Sequence, residues 1–409
     1  MLNRIWTGFF LVAFAAALVR WLALGDAAVW QDIVGSTFET AKTAFEISLG
    51  LTGVMALWLG IMRVGERGGA VDLLARAFGP LSRRLFPGIP AGHPAEGAIV
   101  MNMAANLLGL DNAATPLGLK AMRELQTLNP REDTASDDQI LFLVINTSSV
   151  TVIPVTIFTY RAQLGAADPT DVFLPILIAT FASTLVGLLV TAAVQRLRLG
   201  QPVVLAYLGG LTALVAGLVV YFSRLPQAAM ERQSAVLANL LIFTVIIGFF
   251  ALAVRRRANL YEAFVDGAKD GFTTAVSIIP YLVAMLVAIG VLRASGALDL
   301  VLDGVRGAVA ALGVDARWVD GLPTAMMKPL SGSGARGMLI ETMQTHGADS
   351  FAGRLASVIQ GSTETTFYVL AVYFGAVKIR YTRHAVGCGL AADAAGITVA
   401  ILVSYLFFG

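Results

Sequence analysis

The sequence predicts an all-α integral membrane protein with about nine transmembrane helices plus two re-entrant hairpins, arranged as two inverted-topology repeats. Three observations predict it. The 409 residues are 57% hydrophobic and only 14% charged, with a mean hydropathy of +0.75; a soluble chain carries about 25% charged residues. Apolar runs near the roughly 20 residues that cross a bilayer recur along the chain. A stretch near the start returns, ungapped, in the second half. The same composition excludes other classes. The one cysteine, Cys388, can form no internal bridge. A net charge of +2 offers no basic field, so no nucleic-acid partner is expected.

Candidate spans fall at about 5–24, 44–62, 139–158, 172–194, 203–222, 234–254, 272–292, 353–375 and 385–408. The first follows Arg4 but lacks a convincing small-residue cleavage site, so it reads as a retained helix. Two shorter apolar stretches, 92–110 and 319–335, are broken by Gly and Pro and read as the hairpins. Basic residues in short loops set the orientation. Loops with Arg196 and Arg198, with Arg255 to Arg257 and Lys269, and with Lys378, Arg380 and Arg383 belong in the cytoplasm. Nine spans then put the N-terminus and the basic segment 63–138 inside as well, in a cell inner (cytoplasmic) membrane. The segment 293–352 falls outside, although it carries Arg293, Arg306, Arg317, Lys328 and Arg336.

The repeat is the most informative feature. Residues 41–73 align with 268–300 at an offset of 227, bringing Ala41-Lys42 onto Ala268-Lys269 and Gly69 to Leu73 onto Gly296 to Leu300. Each copy continues in the same order: span, amphipathic stretch (70–86 and 297–313), broken apolar stretch, polar-interrupted span, final span. The first copy enters its span from outside and the second from inside, so the repeats are inverted. The chain divides into 1–200, with the first repeat at about 41–194, and 201–409, with linker helices and the second repeat at about 268–408. In secondary transporters built this way the substrate sits between the repeats near the midplane.

Candidate site residues cluster in the interrupted segments. The first hairpin offers Asn102, Asn106, Asp111 and Asn112, and the second Lys328, Ser331, Ser333 and Arg336. Irregular backbone at membrane depth persists only where protein buries it or water lines it, and its free N–H and C=O groups can bind ions or solutes. An interfacial loop that merely dips in is the alternative. The interrupted spans offer Asn146, Ser148 and Ser149, and Gln360, Ser362, Thr363 and Glu364. Ser and Thr can bond to neighbouring helices instead. Glu364 is the strongest candidate, because an ionisable group at the bilayer centre is costly; Arg336 or Lys328 could neutralise it. Asp393, inside the last span, joins the same cavity or lies near the inner interface.

Enzyme readings fare poorly. His93, His346 and His384 are far apart in sequence, without metal-ligand spacing. Gly332-Ser333-Gly334 has no evident histidine partner, and no nucleotide-binding P-loop motif occurs. Neither a metal nor a cofactor is expected.

The runs Gly109 to Met122 and Asn146 to Ser149 resemble spore maturation protein A, and Lys328 to Gly337 and Gln360 to Tyr368 resemble spore maturation protein B. The chain resembles a fusion of the two, A-like over 1–200 and B-like over 201–409. Both are similar to the Gate, or nucleoside-recognition, group of membrane proteins. The resemblance implies an inverted-repeat membrane protein but names no substrate. The expected function is movement of a small polar solute (a nucleoside, amino acid or small peptide) between the repeats, with H+ or Na+ as candidate coupling ion. The alternative is a non-transporting module that supports cell-envelope, spore or cell-wall maturation through a partner. Lipid is the expected partner of such a chain, and a homo-oligomer is compatible with it.

Overall fold

The computed structural model describes residues 2–109, 111–148, 151 and 153–409, the side chains of residues 2, 3 and 111–113 excepted. Helix α1 (Leu2–Leu24) precedes the first repeat. That repeat comprises α2 (Ala28–Gly68), α3 (Ala70–Leu85), the hairpin α4 (Pro94–Leu107) with α5 (Asp111–Thr127), the broken pair α6 (Asp137–Ser148) and α7 (Val155–Gln163), and α8 (Phe173–Gln195). Two linker helices follow, α9 (Pro202–Ser223) and α10 (Gln227–Arg255). The second repeat has α11 (Leu260–Ala294), α12 (Ala297–Ala311), a 3-10 turn (Arg317–Gly321) running into α13 (Leu322–Met327), α14 (Gly332–His346), the broken pair α15 (Phe351–Gly361) and α16 (Thr366–Ala376), and α17 (Ala385–Phe408). The order of elements is the same in both repeats. The corner into each amphipathic helix is a glycine in the left-handed region, Gly69 at φ 83° and Gly296 at φ 78°, where a Cβ is disfavoured. The ungapped alignment superposes these two glycines.

The repeats meet along α2 and α11, which run antiparallel. Thr40 lies against Gly290, Ala56 against Gly271, and Leu59 and Gly60 against Gly267. A Cβ on Gly267 would stand 2.3 Å from the Leu59 carbonyl oxygen, so glycine there sets the close approach. Arg63–Asp270 at 2.5 Å and Arg67–Asp266 at 2.6 Å close the end of the pair. Equivalent helices that run antiparallel are what an in-plane two-fold axis requires. The amphipathic helices carry the same message in charge. Arg76 of α3 occupies the repeat position of Asp303 in α12, and Arg83 and Arg84 those of Ala310 and Ala311.

Among the described residues seven unbroken helices are long and apolar enough to cross a membrane: α1, α2, α8, α9, α10, α11 and α17. The expected spans 139–158 and 353–375 are instead pairs of short helices, of 12 and 9 and of 11 and 11 residues. Ser, Thr and Asn offer the backbone alternative partners, and Pro154 removes a donor at the first break. The hairpins are longer than the apolar stretches that announced them. Their second limbs, α5 and α14, carry Lys120, Arg123 and Glu124 and Arg336 and Glu341, which lower local hydropathy. Asn102 Nδ2 donates to the Ala114 carbonyl at 2.8 Å, bonding one limb of the first hairpin to the other. α8 and α17 pack together and against both broken pairs. In α9 only Val204 and Phe222 are buried, leaving the rest of that helix for lipid.

Candidate functional site

The two breaks face each other. α6 ends at Ser148, and a helix end leaves its last carbonyls without intrahelical partners. The other repeat supplies donors for one of them. The Thr147 carbonyl accepts the Glu364 N–H at 2.7 Å and the Thr363 hydroxyl at 2.9 Å. Thr184 of α8 donates to the Ser148 carbonyl at 3.0 Å. The Thr147 hydroxyl donates to that of Thr366 at 3.3 Å. Behind them Asp393 of α17, only 2% exposed, lies 2.6 Å from both the Thr363 and the Thr366 hydroxyl oxygens.

Each hairpin is tied to this centre. The Pro329 carbonyl, at the turn between α13 and α14, accepts the Phe367 N–H at 3.0 Å. Ser331 caps α14 by accepting the Gly334 N–H at 3.0 Å and contacts the Ser333 hydroxyl at 3.2 Å. Lys328 is buried in the same turn and acts electrostatically on Asp393. On the other side Asn106 donates to Asn146 Oδ1 at 2.8 Å and lies 3.3 Å from Asn102 Oδ1. Asn146 donates to the Phe142 carbonyl at 2.9 Å. Tyr373, from the second repeat, donates to Asn146 Oδ1 at 3.3 Å and stacks on Phe142. A Cβ on Gly118 would lie 2.1 Å from the Tyr373 hydroxyl, so that glycine makes room for it.

Half of the expected residues therefore converge: Asn102, Asn106, Asn146, Lys328, Ser331, Ser333, Thr363 and Asp393. Ser148 and Ser362 are buried but bond their own helices, to the Val144 and Ile359 carbonyls. Gln360 is buried with its side-chain oxygen unpartnered among the described residues. Arg336 is half-buried and acts electrostatically on Tyr160. Glu364 anchors its amide at the break while its side chain is exposed. The side chains of Asp111 and Asn112, and Ser149 as a whole, lie outside the described residues. Two tyrosines were missed. Tyr373 reaches the first hairpin from α16, and Tyr160 packs from α7 on Leu339 and Ile340 of the second. The available signal was their parallel placement, each about ten residues after the polar run of its repeat.

A matching pair of clasps joins the repeats at the two ends of the broken helices. At one end Arg161 donates to the Ala348 carbonyl at 2.7 Å, to Asp171 at 2.8 Å and to Asp349 at 3.2 Å. At the other Arg383 donates to the Ala135 carbonyl at 3.0 Å and pairs with Asp137 at 2.8 Å. Tyr381 and Thr134 form a short parallel bridge beside it.

Comparison with known proteins follows this division. A family model for Gate domains, described as nucleoside recognition, matches residues 48–164 and 275–380, more than half of the chain. The chain belongs to the Gate family. Its two Gate segments contain both hairpins and both broken helices. The chain is 48% identical to spore maturation protein B of Bacillus subtilis (strain 168) over 165 residues, 40% of this chain and 91% of that protein. It is 39% identical to spore maturation protein A of the same organism over 183 residues, 45% of this chain and 90% of that protein. Each relative is matched nearly whole by less than half of this Gate protein, as in a fusion of the two. No solved structure matches.

Proposed function

We propose that this multi-pass membrane protein moves a small polar solute between its two Gate repeats. One observation carries the reading. Two broken helices, one per repeat, meet at a buried polar centre where Thr147 receives Thr363 and Glu364. Packing alone gives no reason to interrupt both helices at the same depth and fill the gap with amides, hydroxyls and charges. Such a lining suits a hydroxylated or zwitterionic solute of the nucleoside, amino acid or small-peptide class, and no bond-making chemistry is assigned to it. The clasp ends support the expected orientation in an inner membrane. Arg131, Lys378, Arg380 and Arg383 gather at one end, beside the 128–137 loop, and short loops rich in Lys and Arg suit the cytoplasm.

The test is solute counterflow in proteoliposomes for wild type and Glu364→Gln. The Glu364 side chain is exposed, so the variant should fold normally and lose saturable flux. Equal flux in both proteins would remove Glu364 from the pathway. The relatives' names favour a second reading, a non-transporting module that supports envelope or spore maturation through a partner. It predicts no saturable flux for any solute and damage from substitutions on exposed loops.

A further inference from the structure

The hydrogens around Asp393 can be counted. Thr363 Oγ1 stands 2.6 Å from Asp393 Oδ1 and 2.9 Å from the Thr147 carbonyl oxygen. A threonine hydroxyl has one hydrogen to give. With Asp393 ionised both neighbours are acceptors, and one of these two short contacts is left with no hydrogen in it. A proton on Asp393 Oδ1 resolves the conflict. Asp393 then donates to Thr363, and Thr363 donates to the Thr147 carbonyl. On the other side Thr147 donates to Thr366 at 3.3 Å and Thr366 to Asp393 Oδ2 at 2.6 Å. Every hydrogen is used once, and the result is a closed ring through α6, the second break and α17.

We propose that Asp393 is a proton-binding site whose proton closes this ring across the two repeats and whose loss opens it. Uptake adds H+ from water to the carboxylate oxygen, and release returns it to water. Ionised Asp393 keeps the Thr363 hydrogen for itself. The Thr363 and Thr147 oxygens then repel, and the second break separates from the end of α6.

The surroundings leave this role to few groups. α8 carries no charged residue, and the acids of α6, Asp137 and Asp138, sit at its far end. α15 offers only Arg354, which lies over Phe408 at the far end of α17. The charges of α10 near α17, Glu231 and Arg232, follow Gln227, which is bonded to the Phe407 carbonyl at that same far end. α16 offers Tyr368 and Tyr373, and α17 itself Cys388 and Tyr405. Lys328 and Glu364 face Asp393 with opposite signs. Glu364, next to Thr363 in the chain, is exposed to water. Assigning the proton as coupling ion rests on the transport reading above; the binding site does not.

The experiment is infrared difference spectroscopy on the full-length protein in lipid nanodiscs across a pH titration, without any solute. Hydrogen exchange at the Glu364 amide is followed in parallel and corrected for its intrinsic pH dependence. Wild type should show a protonated-carboxyl band that disappears on alkalinisation, and the Glu364 amide should then lose roughly tenfold in protection, the order of one hydrogen bond. Asp393→Asn should lack the band and keep its protection at both extremes, because its amide can donate to Thr363 permanently. Thr363→Val covers the case in which Asp393→Asn fails to fold; it should keep the band and lose the pH dependence at Glu364. A carboxylate already ionised wherever the protein is folded would overturn the proposal. So would a band that survives in Asp393→Asn, or a Thr363→Val protein whose Glu364 amide still follows pH. A protein that moves no solute still answers this test, so the two readings fail separately.

Discussion

Removing the guanidinium of Arg161 should cost far more than removing that of Arg383, although the two residues do the same job at opposite ends. Arg161 is fully buried, whereas Arg383 is 41% exposed and its partner Asp137 is 53% exposed. Arg161→Ala leaves the Ala348 carbonyl without its side-chain donor, a penalty of about 1–3 kcal/mol for a buried polar group. It also removes one of two arginines from Asp171, which is 14% exposed and keeps Arg354 at 2.7 Å. Breaking a buried pair costs about 3–5 kcal/mol when the remaining charge is left uncompensated. Arg354 compensates Asp171 in part, and Asp349, 37% exposed, can be hydrated. The expected loss is therefore near the lower bound, about 3 kcal/mol. Arg383→Ala breaks a solvent-screened pair worth about 1 kcal/mol or less. Reversible unfolding in mixed micelles, with helicity as the signal, measures both. Equal losses, or an Arg161→Ala loss below about 1 kcal/mol, would mean that burial does not set the strength of these clasps.

Two further outcomes follow from the packing and the titratable groups. Gly267→Ala places a methyl 2.3 Å from the Leu59 carbonyl oxygen; forcing α2 and α11 apart should destabilise by about 1–3 kcal/mol, whereas Gly304→Ala, with open space at that position, should not, as the same unfolding assay would show. His384 stands just before α17, and burial, then the neighbouring Arg383, hold its ring below the usual imidazole range, against Asp137. A depressed histidine means the unfolded chain binds more protons, so stability is complete above pH ~6.5 and falls as pH drops toward the lower folded value. Melting curves across that window should lose part of their pH dependence in His384→Gln; an unchanged slope would place the proton elsewhere.

The fold was legible because duplication writes the same signals twice. The left-handed corners at Gly69 and Gly296 and the amphipathic α3 and α12 stand in register, and the polar runs at Asn146 and Gln360 recur in the same order. The polar runs inside 139–158 and 353–375 marked those spans as interrupted, but the full break of each helix depends on donors from the other repeat. Thr147 finds its partners at Thr363, Glu364 and Thr366, more than 200 positions away, so no local reading could pair them. For the same reason Glu364 looked more buried than it is, while Asp393, in an otherwise uncharged helix, is the enclosed acid. Ser148 and Ser362 bond the carbonyls of their own helices. A polar side chain in an interrupted span can spend its hydroxyl on its own backbone, and composition does not reveal which will. Arg161 was missed because a loop arginine reads as a topology marker until its burial is known.

The antiparallel run of α2 and α11 carries a rule of parity. Two crossing helices of opposite direction can be joined only by an even number of crossings. Between them lie three long unbroken apolar helices, α8, α9 and α10. An odd number of crossings must therefore lie between α2 and α8, as when the α6–α7 pair crosses once and the α4–α5 hairpin enters and leaves on the same face. Linker helices could then be gained or lost only in twos. Deleting α9 alone would insert the second repeat upside down, with α11 unable to meet α2 and every later polar residue delivered to the wrong face.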